Sequence, residues 1–443
     1  MQVDGGGSLS IVGGIVDTAS ATGNGIYVMP SGNAAIGHFS QDASQDAAVN
    51  ITGNGNGVVA DAGSSVVINT PDIISNHLAG VIAERNAAVE IAGGTIGSNG
   101  GDGIDISDGA TVVFNSGQFG GSAATQVTSN HGAGIVMFGG TLDIDIAAIG
   151  VLDGGSSSPN DGDGIDASVG AIVTIGGGSV SDNFGGGINL THAVAKLRNL
   201  TINGNQGGPP ISAVLSNVDA KGVTITAPGT LGQPAILAFR SSIDLDTDVV
   251  NGPNNANTLG VFGGASALLY KTTLSSADTT DAALEVADGS SVVSAGGNII
   301  NNSSSGGTAI TVSNGSTFNE EQNAVIIKNF PAAADAITGA GTVQMQSDME
   351  LGTGATAPSG WTGSISVAQN SSFRMHGGMT VSGGVTIGQG SNGFFNKTAG
   401  GTNTVNGPNV ACLGTGTTHI VGGAAGVTPA VTLVTTGAGC YSF

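Results

Sequence analysis

Along most of the chain, apolar residues alternate with polar ones in short runs, and the runs return in a fixed order. Residues 99–114, NGGDGIDISDGATVVF, show one full round. Ile104 and Ile106 share one side while Asp105 and Ser107 share the other, the period-two signature of a strand. After the polar corner Asp108-Gly109 a second alternating run begins, with Val112 and Phe114 on one side. Other second runs carry Val89/Ile91, Leu142/Ile144, Val173/Ile175 and Ala195/Leu197. The residues between them, Glu90, Val113, Asp143, Thr174 and Lys196, are mostly polar or charged. They are expected to face water, because burying an unpaired charge is costly. A third short run, such as Thr95-Ile96 or Ser179-Val180, completes the round.

Each round opens on Asn, three residues, Gly and an aliphatic residue: Asn76/Gly80/Val81, Asn99/Gly103/Ile104, Asn130/Gly134/Ile135, Asn160/Gly164/Ile165 and Asn183/Gly187/Ile188. The glycines stand 23, 31, 30 and 23 residues apart. Self-similarity at such a period marks a solenoid, in which no repeat buries its apolar face without neighbours. Three short strands per coil, each pairing with its counterpart one coil on, predict an all-β fold. It is a right-handed parallel β-helix with coils stacked about 4.8 Å apart. In it Asn76, Asn99, Asn130, Asn160 and Asn183 form a ladder at one corner, each side-chain amide donating to the next. Asn also tolerates the left-handed backbone that a sharp corner needs.

These anchors and alternating runs resemble the pectate-lyase-like β-helix superfamily, which includes polysaccharide lyases, phage tailspikes and autotransporter passenger domains. The resemblance covers most of the chain and implies an architecture. Enzymes and adhesins share that architecture, so function has to be argued from a site.

Composition narrows the classes. With 79 Gly among 443 residues and 9% charged residues, low complexity would be the simple reading, but 39% apolar residues placed in register argue for one long ordered domain. Lys and Arg number 9 against 31 Asp and Glu, a formal charge of −22. Such a surface repels phosphate backbones and anionic lipid, which sets aside nucleic-acid and membrane-surface partners. No apolar run is long enough for membrane insertion. The opening MQVDGGGSLSIVGG lacks the basic and apolar segments of a secretion signal and reads as strand from residue 8, as in a fragment of a longer chain.

Residues 1–340 are expected to form the parallel β-helix. After the regular heart, first-strand residues recur at Ile211, Ile236, Val261, Leu284, Ile310 and Ile337 with weaker Asn marking. Residues 341–399, where the anchors vanish and Trp361 lies, are expected to continue in altered β form, and 400–443 to cap the open end. The cysteines Cys412 and Cys440 would close a loop of about 29 residues there, contributing roughly 3.5 kcal/mol if bonded. That pairing points to an oxidising compartment; two free buried thiols are the alternative.

Aligned across coils, the outward first-strand positions are Tyr27, Ile82, Asp105, Val136, Asp166 and Asn189. Asp105 and Asp166 lie two coils apart, roughly 9.6 Å, near the roughly 6.5–9.5 Å separation of carboxylates in inverting glycosidases. They are the catalytic candidates. Glu84, Arg85, Asp108 and His192 are expected at the rim of that face; Glu84, Asp108 and His192, with Phe119 from a lengthened repeat, are the binding candidates. Two repeats carry extra residues, within 115–129 and 150–159, expected to leave one corner and wall a recognition groove.

Several features argue against catalysis. Aromatics make up 4% of the chain, whereas sugar-binding grooves stack rings on them. Basic residues are scattered singly, whereas lyases acting on acidic sugars need a cation. The Asn-Thr-Asp, Asp-Asp and Gly-His-Gly motifs that polygalacturonases of the superfamily carry are missing. GGDGID at 100–105 matches the opening of the calcium-binding nonapeptide through Asp102 and Asp105, and Asp163 sits in the related repeat, yet Ser107 replaces the large apolar residue and no nine-residue period follows. No metal and no cofactor is expected.

The reading that follows is a β-helical rod, secreted or displayed on a cell or virion surface. It acts as an adhesin, passenger-type stalk or receptor-binding protein without catalysis. Its partner is a surface glycan or cell-surface receptor, with a homotrimer or larger assembly left open. The rival is a polysaccharide-degrading tailspike or secreted glycoside hydrolase using Asp105 and Asp166.

Overall fold

In the computed structural model, strands fall where the alternation puts them, and no helix occurs among the described residues. The structure describes residues 1–37, 49–70, 72–115, 124–150, 158–278, 280–302, 307–313, 315–321 and 337–343; beyond these it describes the backbone of short strands from Val325 to Ser442. Two compact units are present, Met1–Asp219 and Ala220–Phe443. Each is a parallel β-solenoid.

In the first unit every regular coil supplies one strand to a first sheet and two to a second. The first sheet runs through Ile26–Val28, Val58–Ala60, Val81–Ala83, Ile104–Ser107, Ile135–Phe138, Ile165–Ser168, Ile188–Thr191 and Ile211–Val214. Register is strict: Val81, Ile104, Ile135, Ile165, Ile188 and Ile211 pair in succession. That column is fully buried, and so are Ile106, Val112 and Phe114. β-branched side chains suit it, being stiff at χ1 and well packed on a pleated surface. Glu90, Val113, Asp143, Thr174 and Lys196 form the opposite column of the second sheet, half-buried or exposed as the alternation requires.

Corners bend through left-handed residues. The first corner uses Asp108 with Gly109 or Val169 with Gly170, and the second uses Gly93 with Gly94. At the third corner the expectation is corrected. Ser75, Ser98, Ser129 and Asp182 are the left-handed residues there, each directly before a ladder asparagine. The residue ahead makes the turn, which leaves the Asn backbone free to offer its N–H to the neighbouring coil.

The lengthened repeats are corrected as well. Thr125–Thr128, inside the first long stretch, is the third strand of its coil and pairs with Thr95–Gly97. The extra residues of that repeat therefore separate its second and third strands. Those of the next repeat follow its third strand, Ala147–Gly150. The two insertions leave successive corners, and the Thr-Gln-Val-Thr composition concealed the strand between them. The insertions, 116–123 with Phe119 and 151–157, lie outside the described residues.

In the second unit Ile236–Phe239, Leu259–Phe262, Leu284–Val286, Ile310–Val312 and Ile337–Gly339 pair in the same manner. Second and third strands are fused in Ser266–Ser276 and Ser291–Asn301, which bend at the left-handed Lys271 and, one coil on, at Gly296. Parallel pairing continues from Ile365 to Val385, Val410 and Leu433. Cys412 lies opposite Thr435 in the first sheet and Cys440 opposite Thr418 in the second. Their side chains and Trp361 lie outside the described residues, and no disulfide is described.

Candidate functional site

The face that carries the candidate residues stands on a fully enclosed corner. Asn99 Nδ2 donates to Asn130 Oδ1 at 2.9 Å and to the Ile73 carbonyl at 3.2 Å. Its Oδ1 accepts from Asn76, from Nδ2 at 3.0 Å and from the backbone N–H at 3.1 Å. The same amide-to-amide bond joins Asn130 to Asn160 and Asn160 to Asn183. It extends one rung each way, to Asn54 and Asn205. Sequence reading missed these two because Asn54 stands one residue nearer its strand, and Asn205 one residue farther, than Asn76 does from Val81. All seven asparagines are buried, and their paired amides leave little cost from desolvation.

On the outer face of the first sheet, one column runs Tyr27, Val59, Ile82, Asp105, Val136, Asp166, Asn189 and Ser212. Asp105 and Asp166 thus flank Val136, two coils apart. Asn189 Nδ2 donates to Asp166 Oδ1 at 3.2 Å. Burial raises the pKa of Asp105, with Asp102 and Glu84 adding repulsion. Burial also raises that of Asp166, reinforced by Asp163 and opposed by the Asn189 hydrogen bond.

Asp102 and Asp163 come from a repeated segment, Gly-Asp-Gly-Ile-Asp at 101–105 and again at 162–166. The first Asp of each caps the next coil. Asp102 Oδ1 accepts the Ala133 N–H at 2.7 Å, and Asp163 Oδ1 accepts the Gly186 N–H at 2.5 Å. Asp102 and Asp163 of the calcium-like motif are thereby engaged with backbone. Among the described residues no three His, Cys, Asp or Glu side chains converge on one point.

At the rim, Glu84 pairs with Arg85 at 2.6 Å, and Arg85 reaches the buried Asp61 at 3.0 Å. Tyr27 Oη donates to Asp61 Oδ2 at 2.7 Å, which is the main cause raising the tyrosine pKa. This network ties three coils together around Asp61, a residue that nothing in the sequence distinguished from an exposed strand end. Asp108 and His192 are exposed at the first corner, both left-handed, on the coils of Ile104 and Ile188. Two coils lie between them, so His192 is not brought beside Asp105. Phe119 is outside the described residues.

Fold and site define a class: a parallel β-solenoid with an asparagine-laddered corner and a partly acidic outer column. The chain matches no known family model and no curated protein.

Proposed function

We propose that the first unit is a rigid binding scaffold, secreted or displayed on a cell or virion surface. It holds a surface glycan or glycosylated receptor on the outer face of its first sheet without cleaving it. Right-handed coils belong to this reading, being the hand that parallel crossover connections take in nearly all cases.

The observation that carries the proposal is the column Asp105, Val136, Asp166 and Asn189, fixed in register by strand pairing. Carboxylates and an amide supply acceptors and donors for sugar hydroxyls, and Val136 supplies an apolar rest between them. Hydrolysis would ask the two carboxylates for opposite roles, one protonated and one ionised, which requires environments that drive their pKa values apart. Burial raises both. The rival reading is hydrolysis by the same pair.

A glycan array probed with the wild-type chain and with the Asp105→Asn/Asp166→Asn variant tests the assignment. The wild type should retain a defined subset of glycans and the variant should bind them about tenfold more weakly, the loss of roughly one charge-assisted hydrogen bond. Equal binding by both would remove this face from recognition.

A further inference from the structure

The first corner of the first unit carries an apolar face that the recognition column does not use. Five exposed residues make it up on four successive coils: Phe138 at the end of a first strand, Val169 and Leu215 at the bend, and Ile172 and Val194 at the start of second strands. Strand pairing sets them side by side. Phe138 lies opposite Ser168, Ile172 lies opposite Val194, and the His192 N–H reaches the Val214 carbonyl just before Leu215. On the preceding coils the position of Ile172 holds Ala88, Thr111 and Thr141, so large apolar residues are confined to this stretch. Val169 and Leu215 are also left-handed, with φ of +56° and +52°, at the bend where other coils use Arg85, Asp108 or His192. A β-branched residue in that conformation is a backbone outlier, and Val169, 67% exposed, gains little from burial in return.

Together these residues expose on the order of 450 Å² of largely apolar surface, within the size range of patches that mark protein contacts. A standard interface covers about 800 Å² per partner, so the polar positions beside the patch supply the rest. Those positions carry the charge pattern that selects the partner. Two residues along the second strands from Thr141, Ile172 and Val194 runs the outward column Asp143, Thr174 and Lys196, paired in register. Asp143 and Lys196 are exposed and, among the described residues, neither forms an ion pair. They stand about 9.6 Å apart with Thr174 midway. We infer that this face binds a second copy of the chain across a two-fold axis. The axis runs along the strands through Ile172 and Thr174, in the plane of contact, so the two stacks of coils lie antiparallel. Ile172 then meets its own counterpart, and Asp143 of each copy faces Lys196 of the other. His192, one coil on, falls opposite the Gly139-Gly140 bend of the other copy, where no side chain stands in its way. Parallel copies would instead set like charge beside like. A glycan would leave the apolar patch unfilled, and a formal charge of −22 repels an anionic membrane.

Sedimentation velocity of the full chain at about 1–100 μM tests this, in about 0.15 M salt to screen the diffuse repulsion between acidic surfaces. The wild type should pass from monomer to dimer across that range, as suits a patch of modest area. Ile172→Ser, Asp143→Lys and Lys196→Asp should each weaken association at least about tenfold. Thr201→Asp, on the outer face of a third strand, should leave it intact. Mixing Asp143→Lys with Lys196→Asp in equal amounts should restore the dimer, because both charge contacts of the mixed pair again join opposite signs. A wild type that stays monomeric over the whole range would overturn the inference, as would a dimer that all three variants leave intact. Two charge variants that dissociate alone and stay monomeric when mixed would also overturn it, by removing the two-fold pairing of Asp143 with Lys196.

Discussion

Asn99 occupies the space that a side chain on Gly80 would need. A Cβ on Gly80 would lie 2.7 Å from Asn99 Nδ2, and equally close to the Gly103 carbonyl and to Ile96 Cγ2. Gly103 stands in the same relation to Asn130, at 2.8 Å, and Gly164 to Asn183, at 2.9 Å. The two anchors of the repeat are therefore halves of one contact between successive coils. Glycine opens the corner, and the asparagine of the next coil fills it. Gly80→Ala should destabilise by about 2–3 kcal/mol in urea unfolding, the range for overpacking. Gly170→Ala, where nothing lies within 4 Å and only a φ of +79° is at stake, should cost about 1 kcal/mol. Equal losses at the two sites would separate the glycine from the ladder.

The ladder itself should be strongly coupled to stability. Asn130→Ala strands the Asn99 N–H, the Asn99 amide and the Ile96 carbonyl in a closed corner. At about 1–3 kcal/mol for each unsatisfied buried group, a loss of about 3–5 kcal/mol is expected after partial relaxation. The exposed Asn217→Ala should stay within about 0.5 kcal/mol. Thermal melts of the two variants check the difference.

Strand polarity gives a further test. Ile104 is 0% exposed, so Ile104→Asp buries a charge and should cost more than about 3 kcal/mol. An unchanged melting curve would refute the register of the first sheet.

The acidic column makes stability depend on pH. The folded-state pKa values of Asp105 and Asp166 are raised above the ordinary 3.8, so the folded chain binds more protons than the unfolded one as these groups titrate. Their stabilising contribution is fully present below about pH 3.8 and is lost as pH rises through the folded values. Asp105→Asn should therefore melt higher than the wild type at pH 7, with the gap closing toward pH 3.5. A gap that widens on acidification would mean that the carboxylate is stabilised by folding.

Much of this was legible in the sequence because a strand with one buried side cannot slip by one residue without exposing its whole apolar set. Val81, Ile104, Ile135, Ile165 and Ile188 announced the first sheet in that way. The Asn-to-Gly spacing announced the ladder for the reason just given, two halves of one contact. Where a coil drops or adds a residue, before Val58 and before Ile211, the spacing fails although the contact persists. Asp61 gave no such signal. Its burial is decided by partners supplied through the winding of the chain, Tyr27 and Arg85. An aspartate at a strand end reads the same whether it is enclosed or exposed.

Binding without turnover is tested most directly by sizing the glycans that the protein retains. Array-positive oligosaccharides would be incubated overnight with the wild-type chain and with the Asp105→Asn/Asp166→Asn variant, then recovered and measured by mass spectrometry. The account predicts that the wild type holds them at full length and that the variant releases them, also at full length. Shortened products that form with the wild type and are lost with the variant would contradict it and establish Asp105 and Asp166 as a hydrolytic pair.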